Sequence, residues 1–150
     1  MSYNEAKRFI EDYFKTYPGI RDYLERTVKE AFEKGYVTTL LGRRRYIPEL
    51  HSTQQVTAEY GKRLAINTPI QGTAADMMKI AMIRIHDYLT STGKRARMLI
   101  QVHDELVFEL PEEEVEEVSA KVKEIMEGVL PLRVPLKVDV GVGPNWLEAK

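Results

Sequence analysis

Three groups of residues carry side chains suited to chemistry. The first is His103-Asp104-Glu105, set between two short apolar runs, Met98 to Val102 and Leu106 to Phe108. Adjacent carboxylates at the turn of an apolar hairpin repel each other and are costly to leave unpaired, and a divalent cation relieves both problems. A plain charged turn explains the same three letters. The second is Arg43-Arg44-Arg45 beside Gly42, where guanidinium forks could take phosphate oxygens without reading a base. A solvated turn is the competing reading. The third is Arg63, Asn67 and Gln71, four residues apart. On an unbroken helix they line one face, and their donors match acceptors in the minor groove of duplex DNA. An ordinary polar face would look the same, and Pro69 threatens the continuity.

Other candidates favour structural roles. Thr73-Ala74-Ala75-Asp76 has the spacing of a capping box, which makes Asp76 a cap and not a ligand. The acidic run from Glu112 to Glu117 suits the start of a helix, with Glu117 placed to pair with Lys121, and reads as a solvated face. Met77, Met78 and Met82 read as core packing. Asp139 reads as a surface charge, although it is the nearby carboxylate that could join Asp104. The sequence has no glycine-rich phosphate loop, no HExxH and no GxSxG.

The elements that must position these groups follow from periodicity. Ile10, Tyr13, Phe14 and Tyr17 predict a helix from Tyr3 to Tyr17, stopped at Pro18-Gly19, and a second helix runs from Ile20 to Lys34 with Gly35 as its stop. Tyr36 to Leu40 and Arg45 to Ile47 favour strands turned at Gly42, a hairpin with arginines at its tip. Ser52 or Thr53 could cap a helix to Asn67, which Pro69 ends or kinks; a further helix continues to Thr90. The two apolar runs flanking His103-Asp104-Glu105 predict a tight hairpin. Pro111 opens a helix with Val115, Val118, Val122, Ile125 and Met126 inside, and Leu136 to Val142 alternates as a last strand. The fold class is therefore α+β, with residues 1–68 helical and basic and residues 69–150 carrying the acidic hairpin on an antiparallel sheet with helices on one face.

With 150 residues, 43% of them hydrophobic and 30% charged, the chain sits in the globular range and outside compositions that stay unfolded. Lysine and arginine number 22 against 23 for aspartate and glutamate, so any attraction to nucleic acid has to be local. It is: 6 basic residues stand against 2 acidic ones from Lys34 to Arg63, and 10 acidic against 2 basic from Asp104 to Glu127. The absence of cysteine excludes disulfides, a thiolate nucleophile and cysteine-bound metal. No apolar stretch approaches a membrane span and the first residues are too polar for a secretory signal, so a cytoplasmic setting without membrane contact is expected.

Gln101-Val102-His103-Asp104-Glu105-Leu106-Val107-Phe108-Glu109 resembles motif C of the family A DNA polymerases, the bacterial DNA polymerase I type. Arg63 to Asp76 resembles that family's stretch leading into the palm, and Thr39 to Pro48 the hairpin before it. The likeness runs in the same order from Tyr13 to Trp146. It implies that Asp104 is one of two aspartates holding a catalytic magnesium pair, with Glu105 a supporting carboxylate and His103 beside the primer end. It implies minor-groove and primer-template contacts from Arg63, Asn67 and Gln71, with primer-template DNA and deoxynucleoside triphosphates as partners in a nucleoid-associated bacterial enzyme.

The sequence also departs from that family. The first catalytic aspartate, in a motif of the Asp-Tyr-Ser-Gln type, has no counterpart in these 150 residues, and neither do the nucleotide-binding fingers helix with its Phe-Gly-Tyr-Gly residues or the thumb. The resemblance is therefore to a C-terminal portion: the second half of a palm preceded by helices and a hairpin from the base of the fingers. With one aspartate of the pair, efficient polymerisation by this chain alone is not expected, and a partner carrying the N-terminal portion is. Two other functions fit the residues: a non-catalytic primer-template binding module using the arginine tip and the Arg63 stripe, and a metal-dependent phosphodiesterase built from Asp104, Glu105 and Asp139.

Overall fold

A computed structural model describes residues 2–149. The first helix, α1 (Tyr3–Thr16), opens on a capping box: the Ser2 hydroxyl accepts from the Glu5 N–H at 3.3 Å, and the Glu5 carboxylate accepts from the Ser2 N–H at 2.6 Å. Helix α2 (Pro18–Lys34) starts at Pro18, two residues before the apolar pattern, because a proline at the first helical position gives up only an N–H that has no helical partner. It ends at Gly35, whose φ of 76° is open to a residue without a Cβ. Strands β1 (Tyr36–Thr38) and β2 (Arg44–Tyr46) then pair antiparallel, Val37 opposite Arg45. A 3-10 turn over Pro48–His51 leads to α3, Gln55–Ser91, of 37 residues. Strands β3 (Arg97–Val102) and β4 (Glu105–Glu109) form a second antiparallel hairpin, and a 3-10 turn at Glu112–Glu114 leads into α4 (Val115–Glu127). The α+β class expected from the sequence is thus the class observed.

The chain divides into two compact units, Met1–Ala74 and Ala75–Lys150. The core of the first gathers Ala31, Val37, Ile47, Leu50 and Ala65, with Leu64 against it. That of the second gathers Ala81, Ile85, Leu89, Ala96, Val118, Val122 and Val129, with Met98, Leu106 and Phe108 of the hairpin packed on it. The hairpin thus carries helices on one face, while Leu99 and Ile100 are exposed. Met77 joins this core; Met78 and Met82 are half-buried and are not among the residues packed on it.

Three expectations fail. Pro69 does not end the helix: it lies inside α3, which runs on to Ser91. A proline removes a single N–H donor, and burial on both sides of it, at Ala65 and Thr68 before and Thr73 and Ala81 after, keeps the chain helical. Thr73-Ala74-Ala75-Asp76 is consequently mid-helix and caps nothing; the Thr73 hydroxyl donates to the Pro69 carbonyl. Finally, Leu136 to Val142 forms no strand. Alternation selects a face, but a strand also needs a neighbour's ladder groups. Among the described residues this segment has no strand partner: the Val138 N–H donates instead to Glu127 Oε1 at 3.0 Å, and Leu136 packs on the core while Val140 and Val142 are exposed.

No helix among the described residues is long and apolar enough to cross a membrane. The first core closes where the 3-10 turn meets α3 at Gly61: a Cβ there would stand 2.8 Å from Leu50 N and 3.0 Å from the Glu49 carbonyl carbon, and backbone atoms cannot rotate away. Gly61→Ala should therefore destabilise the first unit by about 1–3 kcal/mol, read as a lower urea midpoint than that of the parent chain; an unchanged midpoint would show that the turn shifts without cost.

Candidate functional site

The carboxylates at the tip of the second hairpin owe their position to the strand register. Val102 faces Glu105, so the connecting turn is two residues, His103 and Asp104, and Glu105 already belongs to β4. The sequence pattern gives the turn one residue more. So short a connection needs left-handed backbone, and His103 supplies it at φ 51°, a conformation in which a Cβ costs on the order of 1 kcal/mol. The Gln101 side-chain amide donates to the His103 carbonyl at 2.6 Å and closes the turn from the strand side. A register shift between Met98 and Ile100 bulges β3, which keeps Met98, Leu106 and Phe108 on the core while the tip stays in solvent. His103, Asp104 and Glu105 are all exposed.

Consecutive carboxylates are oxygen donors of the kind hard cations take, and magnesium is commonly held by one or two carboxylates completed by substrate phosphates. Asp104 and Glu105 fit a divalent cation in that sense. Among the described residues no group of three or more His, Asp or Glu is gathered to hold a metal ion.

The root of the same hairpin is tied to the start of α4, while Glu112, Glu113, Glu116 and Glu117 are exposed, as the reading of a solvated face expects, and Glu114 is half-buried. Glu114 accepts from the backbone N–H groups of Arg95 (3.1 Å) and Ala96 (3.1 Å) just before β3 begins, and Glu113 pairs with the Arg95 guanidinium. Glu117 pairs with Lys94, and accepts from the Tyr88 hydroxyl at 3.3 Å; Lys121, its expected partner, instead bonds Glu124 at 2.8 Å. The hydrogen bond from Lys94 holds the Glu117 carboxyl below its ordinary range, and the same bond raises the Lys94 ammonium. Burial, then the Glu117 charge, raises the Tyr88 phenol.

The basic candidates belong to the first unit. Arg43 lies in the loop between β1 and β2, and its Nη2 donates to the Gly72 carbonyl at 3.0 Å. Arg44 and Arg45 lie on β2, both exposed, with the Arg44 guanidinium 4.9 Å from the Tyr36 ring centroid. Because α3 is unbroken, Arg63, Asn67 and Gln71 do share one exposed side of a single helix, with the Arg63 guanidinium 5.8 Å from the Tyr60 ring. Sequence reasoning missed Thr73 and Gly72, which bind the arginine loop to α3. It also missed the Glu114 contacts, whose partners are backbone groups with no signature in the residue types.

The chain matches the DNA polymerase family A profile over residues 1–148. It is 53% identical to the thermostable DNA polymerase I of Thermus filiformis over 150 residues, all of this chain and 18% of that protein. It is 54% identical to the DNA polymerase I of Deinococcus radiodurans over 148 residues, 99% of this chain and 15% of that protein. The chain thus spans less than a fifth of the length of these curated relatives. Its structure is similar, with a TM-score of 0.95 and 48% identity, to the POL domain of Pol1 from M. smegmatis in complex with DNA primer-template and dNTP, covering 99% of this chain and 26% of that one.

The Lys94–Glu117 contact sets a pH dependence. Glu117, with its lowered pKa, stabilises the fold above the ordinary carboxylate range, and that contribution is lost as pH falls through the lowered value. Lys94, with its raised pKa, contributes below the ordinary lysine range and loses its share as pH rises through the raised value. Glu117→Gln should melt below the parent chain at neutral pH, with the gap closing on acidification through the carboxylate range. Thermal melts along that series check it, and a gap constant with pH would contradict the assignment.

Proposed function

Because the chain belongs to DNA polymerase family A, we propose that it contributes the Asp104 side of a template-directed nucleotidyl-transfer centre together with primer-template contacts, and that extension requires residues outside these 150. The observation that carries this reading is the tip of the β3–β4 hairpin. There a two-residue turn with His103 in the left-handed region presents Asp104 and Glu105 to solvent on a hairpin fixed to a core. Left-handed backbone at a non-glycine residue is retained where the surroundings over-determine it, and such positions concentrate at functional sites. The complex of primer-template and dNTP with the similar Pol1 domain supports the same reading.

The transfer joins a primer 3′ oxygen to the α-phosphorus of a deoxynucleoside triphosphate and breaks the bond to the β-phosphate oxygen. Pyrophosphate leaves, and the hydroxyl proton passes to solvent. When bound, a pair of divalent cations lowers the pKa of that hydroxyl and offsets the charge building on the leaving pyrophosphate. Asp104 would hold such cations, Glu105 would add a second carboxylate, and His103 would stand beside the primer end. Arg63, Asn67 and Gln71 donate to minor-groove acceptors common to all base pairs, and Arg43, Arg44 and Arg45 meet phosphates. The counterpart aspartate of the Asp-Tyr-Ser-Gln type is not in this sequence. The charge needed to hold two cations is thus half supplied, and the isolated chain is inactive in this reading.

A second reading, a DNA-binding module without catalysis, is favoured by the exposure of Arg63, Asn67 and Gln71 on one unbroken helix. One experiment separates the two. Primer extension is followed with the chain alone and with a polypeptide carrying the missing motifs, in each case beside Asp104→Ala. No extension by the chain alone, extension by the mixture, and a loss of at least about 100-fold with Asp104→Ala is the outcome expected. Equal extension by Asp104→Ala would refute the catalytic role. Magnesium-independent, salt-sensitive DNA binding with no extension in any mixture would establish the module instead.

A further inference from the structure

The loop that ends at Arg43, directly before Arg44 and Arg45 of β2, is fastened to α3 by contacts that the sequence motifs do not predict. Thr39, Thr68 and Thr73 are all buried, where hydroxyls need partners. Thr73 Oγ1 accepts from the Leu40 N–H at 3.0 Å and donates to the Pro69 carbonyl. Thr39 folds the loop on itself: its Oγ1 accepts from the Arg43 N–H at 3.2 Å, its own N–H donates to the Arg43 carbonyl at 3.0 Å, and its carbonyl accepts from the Gly42 N–H at 3.0 Å. Gly42, at φ 81°, makes that fold possible. The closed loop lies on α3 at glycine distance, since a Cβ on Gly72 would stand 2.7 Å from Thr39 Cγ2.

We infer that Thr73 is a positioning residue, whose buried hydroxyl seats the loop 39–43 on α3 and so fixes Arg44 and Arg45 relative to the turn of α3 that carries Gln71. The inference rests on the DNA-contacting role proposed above for those three residues. The geometry is short-ranged. Strand β2 begins directly after Arg43, which is itself tied to Gly72, and Gln71 precedes Gly72 by one residue, about 100° round the helix. Without the Thr73 hydroxyl the part-buried Leu40 N–H loses its acceptor. The loop is then held to the helix through Arg43 and packing alone, and the arginines are no longer fixed against Gln71.

The test is binding of the full chain to a fluorescein-labelled primer-template duplex over a salt series, at a temperature where circular dichroism shows every variant folded. The variants are Thr73→Val, Thr73→Ser, and Arg44→Ala with Arg45→Ala. Each lost phosphate contact flattens the dependence of log K on log salt concentration by about 1. Thr73→Val is expected to flatten it by about 1–2, Thr73→Ser to restore the parent slope, and the double arginine variant to flatten it as far as Thr73→Val does. A role in stability alone would lower the melting temperature and leave the slope unchanged. Parent slope in Thr73→Val with a flattened slope in the arginine variant overturns the inference and leaves the DNA-contacting reading standing. Absence of salt-dependent binding by the parent chain, or an unchanged slope in the arginine variant, overturns that reading and the inference with it. Should Thr73→Val fail to fold, Gly72→Ala lifts the same loop sterically while keeping the hydroxyl, and the same flattening is required of it.

Discussion

Both cores are built on one helix, and its continuity through Pro69 is the constraint on which the rest depends. Ala65 belongs to the core of the first unit and Ala81, Ile85 and Leu89 to that of the second. Had the helix broken at the proline, Arg63, Asn67 and Gln71 would not have shared one side, and Thr73 would have been a cap and not a buried acceptor. The loss of one backbone donor is a local cost, whereas burial before and after the proline is distributed over many contacts, and the distributed term prevails.

The two hairpins solve a common problem by different means. Each is a pair of short strands, a marginal object unless packed against something. The arginine hairpin is fastened through its loop, by Thr39, Thr73 and the bare Cα of Gly72. The carboxylate hairpin is fastened through one face and its root, by Met98, Leu106 and Phe108 on the core and by Glu114 on the Arg95 and Ala96 amides. Its tip is left in solvent with His103 in left-handed backbone. A polar tip on a packed base is an arrangement suited to holding charged ligands, because the base sets the position and the tip keeps its hydration until a ligand arrives.

Charge is used locally, as a near-zero net charge demands. Part of the acidic run is spent on structure: Glu113, Glu114 and Glu117 hold Arg95, two backbone amides and Lys94. Asp104 and Glu105 belong to the same acidic stretch but lie on the hairpin tip, among the exposed residues. A run of like charge that looks uniform in sequence is thereby divided between residues that fasten the hairpin root and residues exposed at its tip.

The sequence by itself determined what local rules govern: both N-terminal helices, the Gly35 stop, the two hairpins, the apolar stripe of α4 and the family resemblance carried by Gln101 to Glu109. Helical and strand periods and a glycine after a last turn act over a few residues and are legible there. Tertiary structure decided the partners. Glu117 meets Lys94 and not Lys121, Thr73 meets Leu40 across 33 residues of chain, and Leu136 to Val142 forms no strand because alternation cannot supply a neighbour. Pairing depends on which surfaces the burial of the cores brings within hydrogen-bond distance, a property of the whole packed unit that no window of sequence contains.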